Sequence, residues 1–198
     1  MKTLISGTWP NFSAEEIDDV VDVLKSGAVN YWTGDVCKQF ENKFAEWCGS
    51  KYAIAVSNGT TALELALRSL GVKSGDEVIT TSRTFIATAL AILNVGATPI
   101  FADVLRDSGN ISTDSIQANI TAKTKAILVV HLAGWPCDMD AIIALADSNG
   151  LLVIEDCAQA HGATYRGRAV GTIGDAGAWS FCQDKIMTTC GEGGMVLF

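Results

Sequence analysis

The stretch WSFCQDKIMTTCGEGGMV (179–196) sets one lysine, Lys185, between a strand-like apolar run and a loop rich in threonine and glycine. An ε-amine there is an ordinary surface charge or, beside a carbonyl compound, a nucleophile that condenses to a Schiff base. Three other stretches bear on the choice. VIEDCAQAHGA ends its apolar run at Asp156, and a carboxylate among such neighbours is costly without a partner. The plain partner is a helix cap or an arginine; the functional one is a cationic ring nitrogen. SNGTT (57–61) aims backbone N–H groups and the hydroxyls of Thr60 and Thr61 at one point, with a helix dipole behind them, which suits a phosphate. The same residues are also good helix caps. RTFIATA offers Phe85, either as core or as a platform for a flat ring. Gln159 follows Asp156 on the same rim, and His131 and His161 are read as structural.

These residues recur at one kind of place. Ser13 and Glu16 form a capping-box signature before the helical stripe Ile17, Val20, Val21 and Leu24, which ends at Gly27. Helices are expected near 36–47, 60–70, 84–93, 113–120 and 138–148. Strands are expected at 52–57, 76–80, 98–103, 126–130, 151–156, 176–181 and 194–198. The strands are continuous Val/Ile/Leu runs rather than alternating ones, which implies burial on both faces and a mostly parallel sheet between helical layers. The expected fold is an α/β three-layer sandwich forming one domain over residues 1–198. In such sheets ligands bind beyond the carboxyl ends of the strands, and that is where Thr60, Phe85, Asp156, Gln159, Ser180 and Lys185 fall.

A phosphate cradle, a ring platform, a carboxylate for a pyridinium nitrogen and an amine together match pyridoxal phosphate, an electron sink when a lysine and an aspartate hold it. The segments NGTTALELAL, GDEVIT, TFIATALAI, GATPIFADV, IEDCAQAHGA and SFCQDKIMTTCGEGGMV, in this order, resemble the DegT/DnrJ/EryC1/StrS sugar aminotransferases from Pro10 onward. The resemblance implies the large domain of a fold-type I pyridoxal-phosphate transferase, with a Schiff base on Lys185 and a ring-nitrogen partner at Asp156. It places Gln159 against the ring, Phe85 in the stacking position, and Thr60, Thr61 and Ser180 on the phosphate. It sets NYWTG (30–34), with Trp32, Thr33 and Gly34, near the substrate. The implied reaction moves an amino group from glutamate or glutamine to a keto-sugar of the nucleotide-linked kind, in a homodimer. Alternatives are a dehydratase of the same family, which resembles this chain but has histidine where Lys185 stands, and an inactive fragment that only binds a cofactor or partner. Family members run to about twice this length, and their smaller C-terminal domain is expected to be missing here. The apolar end GMVLF is then expected to lack covering elements and to favour association. Cys190 occupies a loop position where glycine is expected, which implies an altered backbone.

Composition narrows the field further. The 198 residues are 48% hydrophobic and 18% charged, enough apolar content for one sizeable core. A net charge of -8 disfavours nucleic acid and anionic membranes, which need basic surfaces. The first ten residues hold no apolar stretch of signal-peptide length, and no later run is long enough to span a membrane. The six cysteines form no C-x-x-C pair, and with two histidines they are read as reduced thiols of a cytoplasmic chain without a metal. G-x-G-x-x-G and P-loop patterns are absent, which gives no support to a dinucleotide or ATP enzyme.

Overall fold

A computed structural model describes residues 9–198. The reading of the N-terminus as free of a signal stretch falls mostly on residues 1–8, outside the described ones. Helix α1 (Ala14–Ser26) opens with the expected capping box, Ser13 and Glu16 each bonding the other's amide, and closes on Gly27 with φ 70°. After α2 (Val36–Cys48) come β1 (Ala53–Val56), α3 (Gly59–Ser69), β2 (Glu77–Thr81), α4 (Ala87–Asn94) and β3 (Thr98–Ala102). Then follow α5 (Thr113–Ala118), β4 (Thr124–Val130), α6 (Met139–Asn149), β5 (Leu152–Asp156), β6 (Thr164–Tyr165), β7 (Arg168–Ala169), β8 (Ala176–Ser180) and β9 (Gly194–Leu197).

Seven strands form one sheet in the order β1-β9-β8-β5-β4-β2-β3. β2, β3, β4, β5 and β8 pair in parallel, whereas β9 runs antiparallel to both β8 and β1. The sheet is therefore mostly parallel, as its continuous apolar runs require. Successive strand residues face opposite layers. Leu128 and Ile154 pack with Ala62, Leu67 and Ile92 of α3 and α4 on one side. Val129 and Val153 pack with Ile116, Met139 and Ile142 of α5 and α6 on the other, and Phe44 of α2 joins Trp179, Phe181 and Met195 on that side.

One expectation needs correction, and one element is an addition. The end of the chain is covered: every residue of β9 is buried, because the strand lies inside the sheet between β8 and β1 rather than at an open edge. The short hairpin β6–β7 was not expected. Its turn, Arg166-Gly167, has φ of 49° and 83°, the two left-handed residues that a two-residue hairpin of the twisted kind demands.

Candidate active site

The strand ends converge on a cleft of about 610 Å³. Thr60, Phe85, Asp156, Gln159, Ser180 and Lys185 all line it, from the carboxyl ends of β1, β2, β5 and β8 and the segments after them. Thr61, Trp32, Thr33 and Gly34 are not among its lining residues. Thr61 turns its hydroxyl to Asn58 Oδ1 (3.1 Å) and Ser57 Oγ (3.2 Å). Trp32 is 91% exposed on a separate turn, where Asn30 accepts hydrogen bonds from the Trp32 and Thr33 amides.

At one end of the cleft lies the N-terminus of α3. Asn58 caps it by accepting from the Thr61 amide at 2.9 Å. The cap reading of SNGTT is observed, and the cap leaves the Gly59 and Thr60 amides without an acceptor among the described residues. Gly59 is required there. A Cβ on it would lie 2.7 Å from Ser180 Cβ and 3.1 Å from Ser180 Oγ, so its hydrogen lets the Ser180 hydroxyl stand beside the first helical turn. Amides, hydroxyl and helix dipole make a cradle for an anion of phosphate size.

The cleft floor is Asp156, 5% exposed. Its Oδ2 accepts from Thr88 Oγ1 at 2.8 Å and its Oδ1 from the Ala158 amide at 3.1 Å. Thr84 completes the chain, its hydroxyl 2.7 Å from that of Thr88. Thr88 comes from α4, far away in sequence, and nothing in its own neighbourhood singles it out. Asp156 forms no ion pair among the described residues. Burial pushes its carboxyl above the usual range, with the Thr88 and Ala158 bonds and the charge of Lys185 acting the other way. A cation against this carboxylate would reverse that burden.

Lys185 reaches the same cleft from the loop after β8. Its side chain is 17% exposed, and its Nζ lies 3.3 Å from Asp184 Oδ2. Its backbone is fixed by the Cys182 carbonyl, which accepts from the Lys185 amide at 2.9 Å. Further along, Cys190 has φ 68°, the left-handed conformation expected for a glycine position. Phe85 is 66% exposed, a free ring face at the rim rather than a core residue. Gln159 Oε1 accepts from the Ala133 amide at 2.9 Å, which anchors its side chain to the turn after β4.

Behind the floor, His131, Glu155 and Cys157 lie close enough together to suggest a metal site. Hydrogen bonds already occupy it. Both Glu155 oxygens accept two bonds each, and His131 Nδ1 accepts from the Cys137 amide at 3.1 Å. Burial drives the Cys157 thiol well above its usual pKa, which withholds the thiolate a metal would need.

The sequence profile of the DegT/DnrJ/EryC1/StrS aminotransferase family matches residues 10–198. The chain belongs to that family. Aminotransferases of this family depend on pyridoxal phosphate. GDP-perosamine synthase of Escherichia coli O157:H7 is 49% identical over 188 residues, covering 95% of this chain and 51% of its own. Among solved structures, an aminotransferase from Psychrobacter cryohalolentis is 64% identical with a TM-score of 0.95, over 96% of this chain and 48% of that one. Spr1654 of Streptococcus pneumoniae, solved in a PLP form, is 33% identical with a TM-score of 0.92, over 98% of this chain and 53% of that one. The chain thus spans about half the length of these relatives. The cleft fits the family's cofactor. It offers an anion cradle kept open by Gly59, a buried carboxylate with no ion pair among the described residues, and an amine on one wall.

Proposed function

We propose that the cleft binds pyridoxal phosphate and serves the transfer of an amino group from glutamate or glutamine to a keto-sugar, with nucleotide-linked sugars as the substrate class. The observation that carries this reading is the presence of Asp156 and Lys185 in one cleft: a carboxylate sunk in the floor without an ion-pair partner among the described residues, and an amine lining the same cleft. When bound, pyridoxal phosphate supplies a carbonyl carbon for the lysine and a ring that stores the electron pair left by a departing proton.

The chain's residues do the rest. The Gly59 and Thr60 amides and the Ser180 hydroxyl hold the phosphate, and Thr61 supports them by completing the Asn58 cap. Asp156 keeps the ring nitrogen protonated, and the opposite charge offsets its own burial. Phe85 would offer its exposed face to a flat ring, and Gln159 a polar group on the cleft wall. Lys185 would be the nucleophile toward the cofactor's carbonyl carbon and, once its amine is free, the base and then the acid that moves a proton. Trp32, Thr33 and Gly34 lie outside their own chain's cleft, so a substrate role for them requires a homodimer in which they face the partner's cleft.

A single-turnover reaction tests the reading. The chain is loaded with pyridoxal phosphate, mixed with glutamate or glutamine, and the cofactor is recovered by chromatography. Conversion to the pyridoxamine form is expected, together with its absence in Lys185→Ala. If neither amino acid converts the cofactor, the proposed donor chemistry is wrong.

A further inference from the structure

Glu155 takes no part in the chemistry above, and its surroundings are unusually complete. It is fully buried next to Asp156, on the opposite face of β5. Its Oε1 accepts from the amides of Ile173 and Gly174, both at 2.7 Å. Its Oε2 accepts from the Gly171 amide at 2.8 Å and from His131 Nε2 at 2.9 Å. The tautomer of His131 follows, because Nδ1 accepts from the Cys137 amide and the ring proton must therefore sit on Nε2 and point at Glu155. His131 also donates its own backbone amide to the Asp156 carbonyl at 3.1 Å.

One carboxylate thus ties three segments together around Asp156. His131 directly follows β4, the 171–174 loop leads into β8, and Glu155 itself lies opposite Gly177 of β8 in the sheet register. The loop is packed directly on that strand: the Gly171 carbonyl leaves no room for a Cβ on Gly177. A buried carboxylate in a merely structural place is commonly a liability, and a fully satisfied one fixes geometry. Burial alone would raise the Glu155 pKa. The hydrogen bonds from His131 and the Gly174 and Gly171 amides more than offset it and hold the group below its usual range, as an anion.

We propose that Glu155 is a positioning residue for Asp156. Through His131 and the 171–174 loop it fixes the height and direction at which the Asp156 carboxylate enters the cleft, and hence its contact with a cofactor ring nitrogen. The inference rests on the cofactor reading above.

Glu155→Gln tests it with little change of shape, since one oxygen becomes an NH₂ group facing two donors. The probe is pyridoxal phosphate carrying ¹⁵N in the ring, bound to the whole chain, and the readout is the nitrogen resonance that reports ring protonation. Glu155→Gln is expected to move this resonance toward that of Asp156→Asn while the cofactor stays attached to Lys185. The single-turnover rate should fall about 10- to 100-fold, the range found when outer partners of metal ligands are removed. In an Asp156→Asn background the same change should add almost nothing, because the two residues act as one unit. A resonance equal to the parent's, or a rate loss that multiplies with that of Asp156→Asn, would overturn the proposal and leave Glu155 a scaffold residue. If Glu155→Gln does not fold, His131→Asn removes the same donor from Glu155 and is held to the same two criteria. If the unaltered chain fails to attach pyridoxal phosphate at Lys185, the cofactor reading fails, and the positioning role falls with it. If attachment holds and the resonance does not move, only the positioning role fails.

Discussion

At the scale of single residues, Asp156 sets function against stability. Its pKa is raised in the folded chain, so the folded state holds a proton more tightly than the unfolded state. Ionisation therefore costs stability as pH rises from the ordinary carboxylate range through the folded value, and the cost stays in full above it. Asp156→Asn should leave the cofactor-free chain at least as resistant to urea as the parent at pH 8, with the advantage gone at pH 4. The same change should slow the half-reaction by roughly three powers of ten, about 4 kcal/mol of barrier. A variant that is weaker at pH 8, or one with near-parental rates, would contradict this account of the residue. Cys190 makes a second case. A left-handed conformation costs a side-chain-bearing residue about 1–2 kcal/mol, so Cys190→Gly should raise the unfolding free energy by about 1 kcal/mol after glycine's greater chain entropy is counted. Lys185 and Asp156 were legible in the sequence because each follows an apolar strand, where such side chains stand out. Thr88 was not, because its role arises only when α4 is laid over the end of β5.

At the scale of elements, the α3 N-terminus depends on a missing side chain. Gly59→Ala favours the helix by about 1 kcal/mol in intrinsic propensity. Its Cβ would nevertheless meet Ser180 at 2.7 Å and push the first turn away from β8. The variant should fold and bind pyridoxal phosphate at least tenfold more weakly, as measured by equilibrium dialysis. Unchanged affinity would mean that the cradle is not built from these two elements. The helices and strands of the sandwich were legible to within a few residues, because long apolar runs and glycine stops mark them. The direction of the last strand was not. A buried run such as GMVLF reads the same whichever way it points, and the antiparallel pairing of β9 with β1 and β8 is decided by the loop that carries Lys185 back across the sheet. Hairpin β6–β7 was missed because its strands are two residues long and its turn is Arg-Gly, without the asparagine or aspartate that usually marks such turns.

At the scale of the whole molecule, the core is well closed but parts of the surface are not. No residue of α1 is buried, and its stripe of Ile17, Val20 and Leu24 lies exposed. Phe85, Ile86, Leu90 and Leu93 form a second exposed apolar run around α4. Apolar surface of this extent marks interaction sites. Sedimentation at micromolar concentration should therefore find a dimer or larger assembly, and a monomer would argue against the homodimer proposed above. Among the described residues, no helix is long and apolar enough to cross a membrane. The central claim, that the strand ends build a cofactor site around one amine, is tested most directly by borohydride reduction of the chain after incubation with pyridoxal phosphate, followed by peptide mapping. The account predicts a pyridoxyl mass on the peptide containing Lys185 and on no other. A label on a lysine outside the cleft, such as Lys51 or Lys125, or no label at all, would contradict it.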